Sequence, residues 1–226
     1  MSTTNRAGAP TGLTGVPRLL TAARLRSYLD AARGDIAAAL RLYDWNIMAS
    51  AAVMATVAMV EVVTRNAMDT QLVDWARHRG DDSWFEIIPI EARGLEDLDR
   101  AQRSVENRGV STEYHDQVVA ELTIGFWRYL VAQRYLTSLW VPALHKAFPS
   151  GYRDIRERRR GVERHLTTLA FVRNRAAHHE PIHRRDLRAD LRAAVELATW
   201  VHVDAGDWVA RRSPLEAVAA RRPRVR

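Results

Sequence analysis

Apolar residues recur every three to four positions along most of the chain, which is the period of α-helices that each bury one face. Pro17 suits the first turn of a helix that Gly34 would end, and Asp35 can cap the helix that follows. The Asp-Trp-Asn run at 44–46 predicts a bend. After it, the pattern indicates a longer helix that continues to about His78.

The central apolar segment, residues 47–60, is interrupted only by Ser50 and Thr56 and ends at Glu61. It is shorter than the roughly 20 residues that a bilayer-spanning helix needs. We therefore interpret it as a core helix and predict no membrane association. The first fifteen residues lack the apolar stretch of a secretory signal, and their composition predicts a disordered lead.

The middle of the chain predicts shorter helices separated by loops. Gly, Asp and Pro residues within 80–93 indicate a loop, and residues 95–107 form an amphipathic pattern that ends near Gly109. Ser111 and Thr112 can open the next helical segment. Its apolar stripe consists of Val118, Val119, Leu122, Phe126, Trp127 and Leu130.

The second half of the chain carries the most basic helix, predicted from Asp154 to about His178. Residues 135–148 continue helically before it, Pro181 ends it, and a last helix covers about 185–203. The residues of the basic helix expected to face inward are Val162, Leu166, Leu169, Ala170 and Val172.

No segment alternates apolar and polar residues over the length of a strand. The pattern therefore predicts an all-α helical bundle with a single domain at 17–212. A lead at 1–16, predicted to be disordered, precedes the domain, and a basic tail at 213–226 follows it.

Composition adds a preference for nucleic acid. Cysteine is absent, which excludes disulfides and thiolate chemistry and fits a cytoplasmic location. The net charge is +7, and all but one of the 34 basic side chains are arginine, the exception being Lys146. GC-rich codon usage explains the large number of arginines as well as a nucleic-acid partner does. It does not explain why residues 153–192 hold twelve arginines against six acidic residues, a concentration that favours a phosphate-bearing partner.

The sequence RNRAAHHEP at 173–181 places arginine, asparagine and two histidines at the predicted end of the basic helix. Asn174 and His178 share a face, whereas Arg173 and His178 lie about 140° apart around the axis. Arg173 and His178 would therefore line a groove or meet groups from a second copy. Pro181 confines both histidines to the last turn, where the helix dipole favours the charged imidazolium form.

These side chains are the ones that metal-free RNA cleavage requires. In that reaction the ribose 2′-hydroxyl attacks the adjacent phosphate, histidine transfers the proton, and arginine stabilises the developing charge. Arg173 is thus the candidate phosphate ligand, Asn174 the orienting residue and His178 the general acid or base, with His179 assisting. No carboxylate cluster accompanies them, and the predicted reaction uses no metal and no cofactor.

The same residues resemble a known family. Arg173, Asn174 and His178 match the R-x4-6-H motif of HEPN-domain proteins, and the whole run is similar to their Abi-like (abortive infection) branch. The resemblance covers about residues 20–215. It includes the segments LYDWN (42–46), EVVTRN (61–66), LTIGFW (122–127), LW (139–140) and AFP (147–149).

The resemblance implies a HEPN-like helical bundle that dimerises so that two motifs face each other across a cleft. It implies an endoribonuclease of a toxin–antitoxin, phage-defence or abortive-infection system, acting on RNA and restrained by an antitoxin that is either a protein or a small RNA. Some HEPN proteins bind RNA without cutting it. A non-catalytic RNA-binding or regulatory bundle is therefore the alternative function, and a DNA-binding regulator is less favoured because no helix-turn-helix pattern is present.

Charged residues directly after the apolar helix are candidate supporting residues. Glu61 and Arg65 are four residues apart and can form an ion pair with a purely structural role. The other interpretation is that Glu61 orients Arg173 or Arg65, because a charge on an apolar helix must be paired or face a cleft. Asn66, in the same segment, is a third supporting candidate.

Further arginines could bind RNA or simply form a solvated helix face. They are Arg175 within the motif and the run Arg158, Arg159 and Arg160. His179 and His183 have the spacing of a zinc-binding pair. Pro181 interrupts the single helix that such a pair needs, so we predict no metal site.

Overall fold

Helices make up nearly all of the regular structure. The computed structural model describes residues 15–109 and 112–225, and this part of the chain contains no β-strand, which confirms the all-α prediction. Short 3₁₀ and π turns at Gln133–Tyr135, Leu136–Trp140 and Leu144–Ala147 join its two halves. The α-helices are α1 (Val16–Leu19), α2 (Ala22–Ala31), α3 (Ile36–Arg77), α4 (Trp84–Ile87), α5 (Ala92–Asn107), α6 (Tyr114–Glu121), α7 (Ile124–Leu130), α8 (Ile155–Ala177), α9 (Leu187–Val201), α10 (Val203–Arg212) and α11 (Leu215–Ala220).

Helix α3 is the central element of the bundle. Its 42 residues span roughly 63 Å, and the Asp35 carboxylate caps it by accepting the Ala38 N–H at 3.0 Å. The chain is not interrupted at 44–46, where the sequence predicts a bend between two helices, because α3 is one continuous helix through these positions. Asn46 is buried there, and its side-chain oxygen accepts the Ile182 N–H at 2.8 Å, so this polar residue serves a tertiary contact.

Most of the bundle packs around α3. Helices α2, α8, α9 and α11 make the most extensive helix contacts with it, and its apolar residues Leu42, Val53, Val60 and Leu72 are buried. By length and composition α3 could also cross a membrane. Its most apolar 18-residue stretch has a mean hydropathy of 1.9 and is 44% buried within the fold. Core helices of folded proteins pass the same test.

Helix α8 begins where the sequence predicts. The Asp154 carboxylate accepts the N–H groups of Arg156 and Glu157, each at 2.8 Å, and the predicted inward-facing residues of α8 are all buried. Trp200 of α9 packs directly over Gly161 of α8. The two helices can approach closely because this position has no side chain.

Elsewhere the predicted boundaries differ from the structure. The loop predicted at 80–93 contains α4. The helix predicted at about 185–203 is α9, whereas α10, which follows the extended backbone of His202, was not predicted. The segment after Val131 forms 3₁₀ and π turns instead of one continuous helix. Ser111, predicted to open a helix, lies outside the described residues, as does most of the lead at 1–16.

Part of the C-terminal tail packs on the bundle. Residues 215–220 form α11, Leu215 is buried, and the Trp45 indole N–H donates to the Val218 carbonyl oxygen at 2.8 Å. Val218, Ala219 and Val225 also pack against the core, and Glu216 pairs with Arg188 at 2.9 Å, so the tail is part of the bundle despite its basic composition.

Gly161→Ala is expected to destabilise the fold by about 1–3 kcal/mol, because a Cβ at this position would lie 2.4 Å from the Trp200 ring. Gly125→Ala is the matched control, since its Cβ would meet nothing closer than 3.4 Å. Urea unfolding of both variants measures the difference. Equal stability of the two variants would contradict the close α8–α9 packing.

Candidate functional site

The motif lies at the C-terminal end of α8, where the backbone forms a Schellman turn. The His179 N–H donates to the Ala176 carbonyl at 3.1 Å, and the Glu180 N–H donates to the Arg175 carbonyl at 2.8 Å. His178 is the C-cap residue, and His179 has a φ of 56°. Glycine is the usual residue at this left-handed position, and strained residues of this kind concentrate at functional sites. Both histidine side chains are exposed.

Arg175 binds the residues that directly follow the turn. Its guanidinium donates to the Pro181 carbonyl at 2.9 Å and lies 3.1 Å from the Glu180 carboxylate. About one third of the side chain remains exposed. Arg175, predicted to bind RNA, is therefore held in place by the chain that follows the motif.

Arg173 lies on the face of α8 that is turned towards α3. Arg173 lies between the buried residues Leu169 and Ala176 on this face, but its own side chain is half-exposed. Its Nη1 donates a hydrogen bond to the Asn174 Oδ1 at 3.3 Å. Glu61 of α3 is close enough for the two charges to interact. Asn174 itself is exposed on the side of α8 that borders α7.

The environment of Glu61 favours an orienting role. Burial raises the pKa of its carboxyl, while the backbone amide of Ile124 and the positive charges of Arg173 and Arg65 act in the opposite direction. Ile124 is the first residue of α7, so the carboxylate faces a helix N-terminus as well as two guanidinium groups.

Arg65 does not form the predicted ion pair with Glu61 within 4.0 Å. Its Nη1 instead donates to the Ala120 carbonyl at 3.2 Å, and its buried Nε has no hydrogen-bond partner among the described residues. Asn66 is exposed, and its side chain forms no hydrogen bond among the described residues; its backbone oxygen accepts the Thr70 hydroxyl at 2.9 Å. Of the three supporting candidates, Glu61 is therefore the one that interacts with the motif.

A groove of about 710 Å³ lies beside the end of α8. Ala177 and His179 form one wall, and Ile47, Ala51 and Met54 of α3 are among the residues that form the other. Because the left-handed turn redirects the chain, His179 lines this groove.

His178 lies on a different side of α8 from Arg173. By helical periodicity the two side chains leave α8 about 140° apart, as the sequence indicates. One chain therefore does not bring them onto a single phosphate.

The three consecutive arginines have different environments. Arg159 is buried, and its guanidinium donates to the Val131 carbonyl at 2.8 Å and to Glu163 at 2.6 Å, which corrects the prediction that it contacts RNA. Arg158 donates to the carbonyls of Tyr152 and His145, at 2.7 and 3.2 Å. Arg160 is the exposed member of the run, with Glu157 at 3.6 Å.

His183 is a core residue. It is buried against Tyr28, its Nε2 lies 3.1 Å from the Ser27 hydroxyl, and burial together with the charges of Arg184 and Arg222 lowers its pKa to about 4. In the part of the chain that the structure describes, no three His, Asp or Glu side chains are grouped to hold a metal ion.

The structure also contains a polar cluster that the sequence does not reveal. One oxygen of Asp69 accepts both the Trp84 indole N–H at 2.7 Å and the His115 Nε2 at 2.9 Å, and the bond to Asp69 raises the His115 pKa. His115 also stacks on Phe85, with ring centroids 4.7 Å apart. Three helices, α3, α4 and α6, bring these residues together, so no spacing along the chain could have shown them.

No protein-family model matches the chain, and no curated protein or solved structure shows significant similarity to it. The resemblance to HEPN-domain proteins therefore stays a prediction from the motif and the other sequence segments that carry it.

A double-mutant cycle of Glu61→Gln and Arg173→Gln is expected to give a coupling of about 0.5–1 kcal/mol, because the two half-buried charges interact across the α3–α8 contact. The matching cycle with Arg65→Gln should give a smaller coupling, since the Arg65 guanidinium is bonded to Ala120. Urea unfolding measures both cycles. The absence of coupling to Arg173 would remove the orienting role of Glu61.

Proposed function

We propose that this chain is a metal-independent endoribonuclease of the HEPN type, related to the Abi-like proteins. One observation carries the proposal. Arg173, Asn174, His178 and His179 are gathered at one strained helix end, and all four are at least partly exposed. Burial of Arg173 and His178 within the core would have excluded contact with RNA.

The proposed reaction is a transesterification followed by release of the product strand. The 2′-hydroxyl attacks the adjacent phosphorus, and one histidine accepts the hydroxyl proton. The bond to the 5′-oxygen of the next nucleotide breaks, and that oxygen takes up a proton from a second, protonated histidine. Arg173 neutralises the charge on the phosphoryl oxygens, with Asn174 holding its guanidinium. The products are a 2′,3′-cyclic phosphate and a 5′-hydroxyl.

The divergence of Arg173 and His178 favours a homodimer as the active form. In a two-fold arrangement, His178 from one copy can act beside Arg173 from the other, so that each site draws on both chains. The surface of α3 next to the motif is suited to such contact. Its exposed stripe of apolar residues consists of Ile47, Ala51, Ala55, Ala58 and Val62.

This stripe is narrow and continuous. By helical periodicity its members fall within about 80° of arc and extend for roughly 22 Å. The three central alanines allow two helices to approach closely, and a surface of this kind can pair with its own copy around a two-fold axis. Phage defence or growth arrest in the cytoplasm is the corresponding biological role, with an antitoxin, protein or small RNA, as the restraining partner.

A non-catalytic RNA-binding bundle is the second candidate function. The observation that favours it is the same divergence of about 140°, because a single chain with Arg173 and His178 on different sides could hold RNA without cutting it.

Purified wild-type protein is expected to cut labelled single-stranded RNA in the presence of EDTA and to leave cyclic-phosphate ends. Arg173→Ala and His178→Ala should each reduce the rate by about 10²–10⁴-fold, since each removes a group that acts in the transition state. His179→Ala, tested in parallel, identifies the second histidine. Gel electrophoresis and end-group analysis measure the products.

His78→Ala is the matched control, because His78 is also an exposed C-cap histidine, at the end of α3. It should leave cleavage unchanged. Binding without cutting by the wild type and by all variants would instead support the second candidate function.

Ala55→Arg is expected to convert a dimer into a monomer, because it places a charged side chain in the centre of the α3 stripe. The monomer should remain folded and should lose cleavage activity. Ala210→Arg, on the exposed face of α10, is the control and should stay dimeric. Light scattering coupled to size-exclusion chromatography gives the masses. A monomeric wild type that cuts RNA would exclude the shared site.

A further inference from the structure

One face of α8 combines positive charge with an exposed aromatic ring. By helical periodicity its residues fall within about 80° of arc. Phe171 is 50% exposed, although phenylalanine is usually buried. The residues of this α8 face are Arg160, Arg164, Thr168, Phe171, Arg175 and His178.

Two guanidinium groups hold the Phe171 ring in position. Those of Arg175 and Arg185 lie 5.6 and 4.9 Å from its centroid. The carboxylate of Asp190 binds Arg185 through two hydrogen bonds, of 2.9 and 2.5 Å, and Arg175 is held by Glu180. The ring is therefore fixed in a positively charged surrounding while half of its surface faces solvent.

A groove of about 590 Å³ between α8 and α9 adjoins this face. Arg164 and Arg184 line it, and neither has a hydrogen-bond or ion-pair partner within the described residues. The Asp186 carboxylate, in contrast, is occupied by the Ala189 N–H at 3.0 Å, and Asp190 is occupied by Arg185. Glu196 also lines the groove and has no hydrogen bond among the described residues, so two unpaired arginines face one unpaired carboxylate and the unpaired charge is net positive.

A buried histidine also lines this groove. His165 is only 6% exposed, and its Nε2 forms no hydrogen bond in the described part of the chain, although Glu196 lies 3.5 Å away. The Nε2 atom is enclosed by the protein, with the Glu196 carboxylate beside it, so His165 forms part of the groove wall.

We propose that the α8 face and the α8–α9 groove form a binding path for single-stranded RNA that leads to His178. A base stacks on Phe171, and Arg164 and Arg184 bind the phosphates on either side of it. Unpaired strands expose the base faces that such stacking needs, whereas a duplex does not. The inference rests on the proposed function only in that the path ends at the motif. RNA can bind along the path whether or not the protein cleaves it.

Fluorescence anisotropy with a labelled 2′-O-methyl oligoribonucleotide tests the path, because this probe cannot undergo the proposed cleavage. Phe171→Ala is expected to weaken binding about fivefold to a hundredfold, and Phe171→Trp should retain it. Arg164→Glu should weaken binding and lower the slope of log Kd against log salt by about 0.7 or more.

Trp208→Ala and Arg77→Glu are the controls, since they remove an exposed aromatic ring and an exposed charge elsewhere on the surface. The inference is overturned if these controls weaken binding as much as the variants of the path, or if duplex RNA binds as tightly as the single strand. Phe171-dependent binding of an acidic peptide in place of RNA would also overturn it.

The outcomes separate this inference from the nuclease proposal. Phe171-dependent binding by a wild-type protein that does not cut RNA would support the path and refute the nuclease. Cleavage with a KM that Phe171→Ala leaves unchanged would support the nuclease and refute the path.

Discussion

The buried hydrogen bond between Asn46 and Ile182 fixes the position of the functional end of the molecule. It joins α3 to the chain directly after the motif, at 2.8 Å and out of contact with solvent. Without it, a buried amide oxygen and a buried N–H would both lack partners, a cost well above the net value of an exposed hydrogen bond. The Schellman turn forms through its own backbone bonds, and this attachment then holds the chain after it against α3, beside the groove that His179 lines.

Arginine has three separate tasks in this protein. Arg159 stabilises the interior, Arg175 and Arg185 hold neighbouring groups in place, and Arg164 and Arg184 are exposed and unpaired in the described part of the chain. The net charge of the protein does not distinguish these three roles. The carbonyl and carboxylate groups that the fold places around each guanidinium decide whether it is available to a phosphate, and only the exposed arginines can take part in the proposed RNA path.

Periodicity and capping residues were sufficient to predict the helices that follow local rules. Asp35 and Asp154 cap helices at the predicted positions, and the inward face of α8 is the predicted one. Features set by distant partners were not predictable. The sequence around Asn46 predicts a bend because its hydrogen-bond partner, Ile182, is far away along the chain. The pair of Asp69 and His115 is absent from the predicted sites for the same reason. Arg159 and Arg160 are neighbours in sequence but have different environments. Arg159 is bonded to the Val131 carbonyl inside the fold, whereas Arg160 is exposed to solvent.

Helix α3 is covered largely by helices that are synthesised long after it, and this order affects folding during translation. Helix α3 ends at Arg77, but its neighbours α8, α9 and α11 lie between residues 155 and 220. During translation, the apolar central helix must wait for more than a hundred further residues before these neighbours can cover it. The motif is in the same late segment. Chains that stop before these helices therefore lack both the cover of α3 and the residues of the motif.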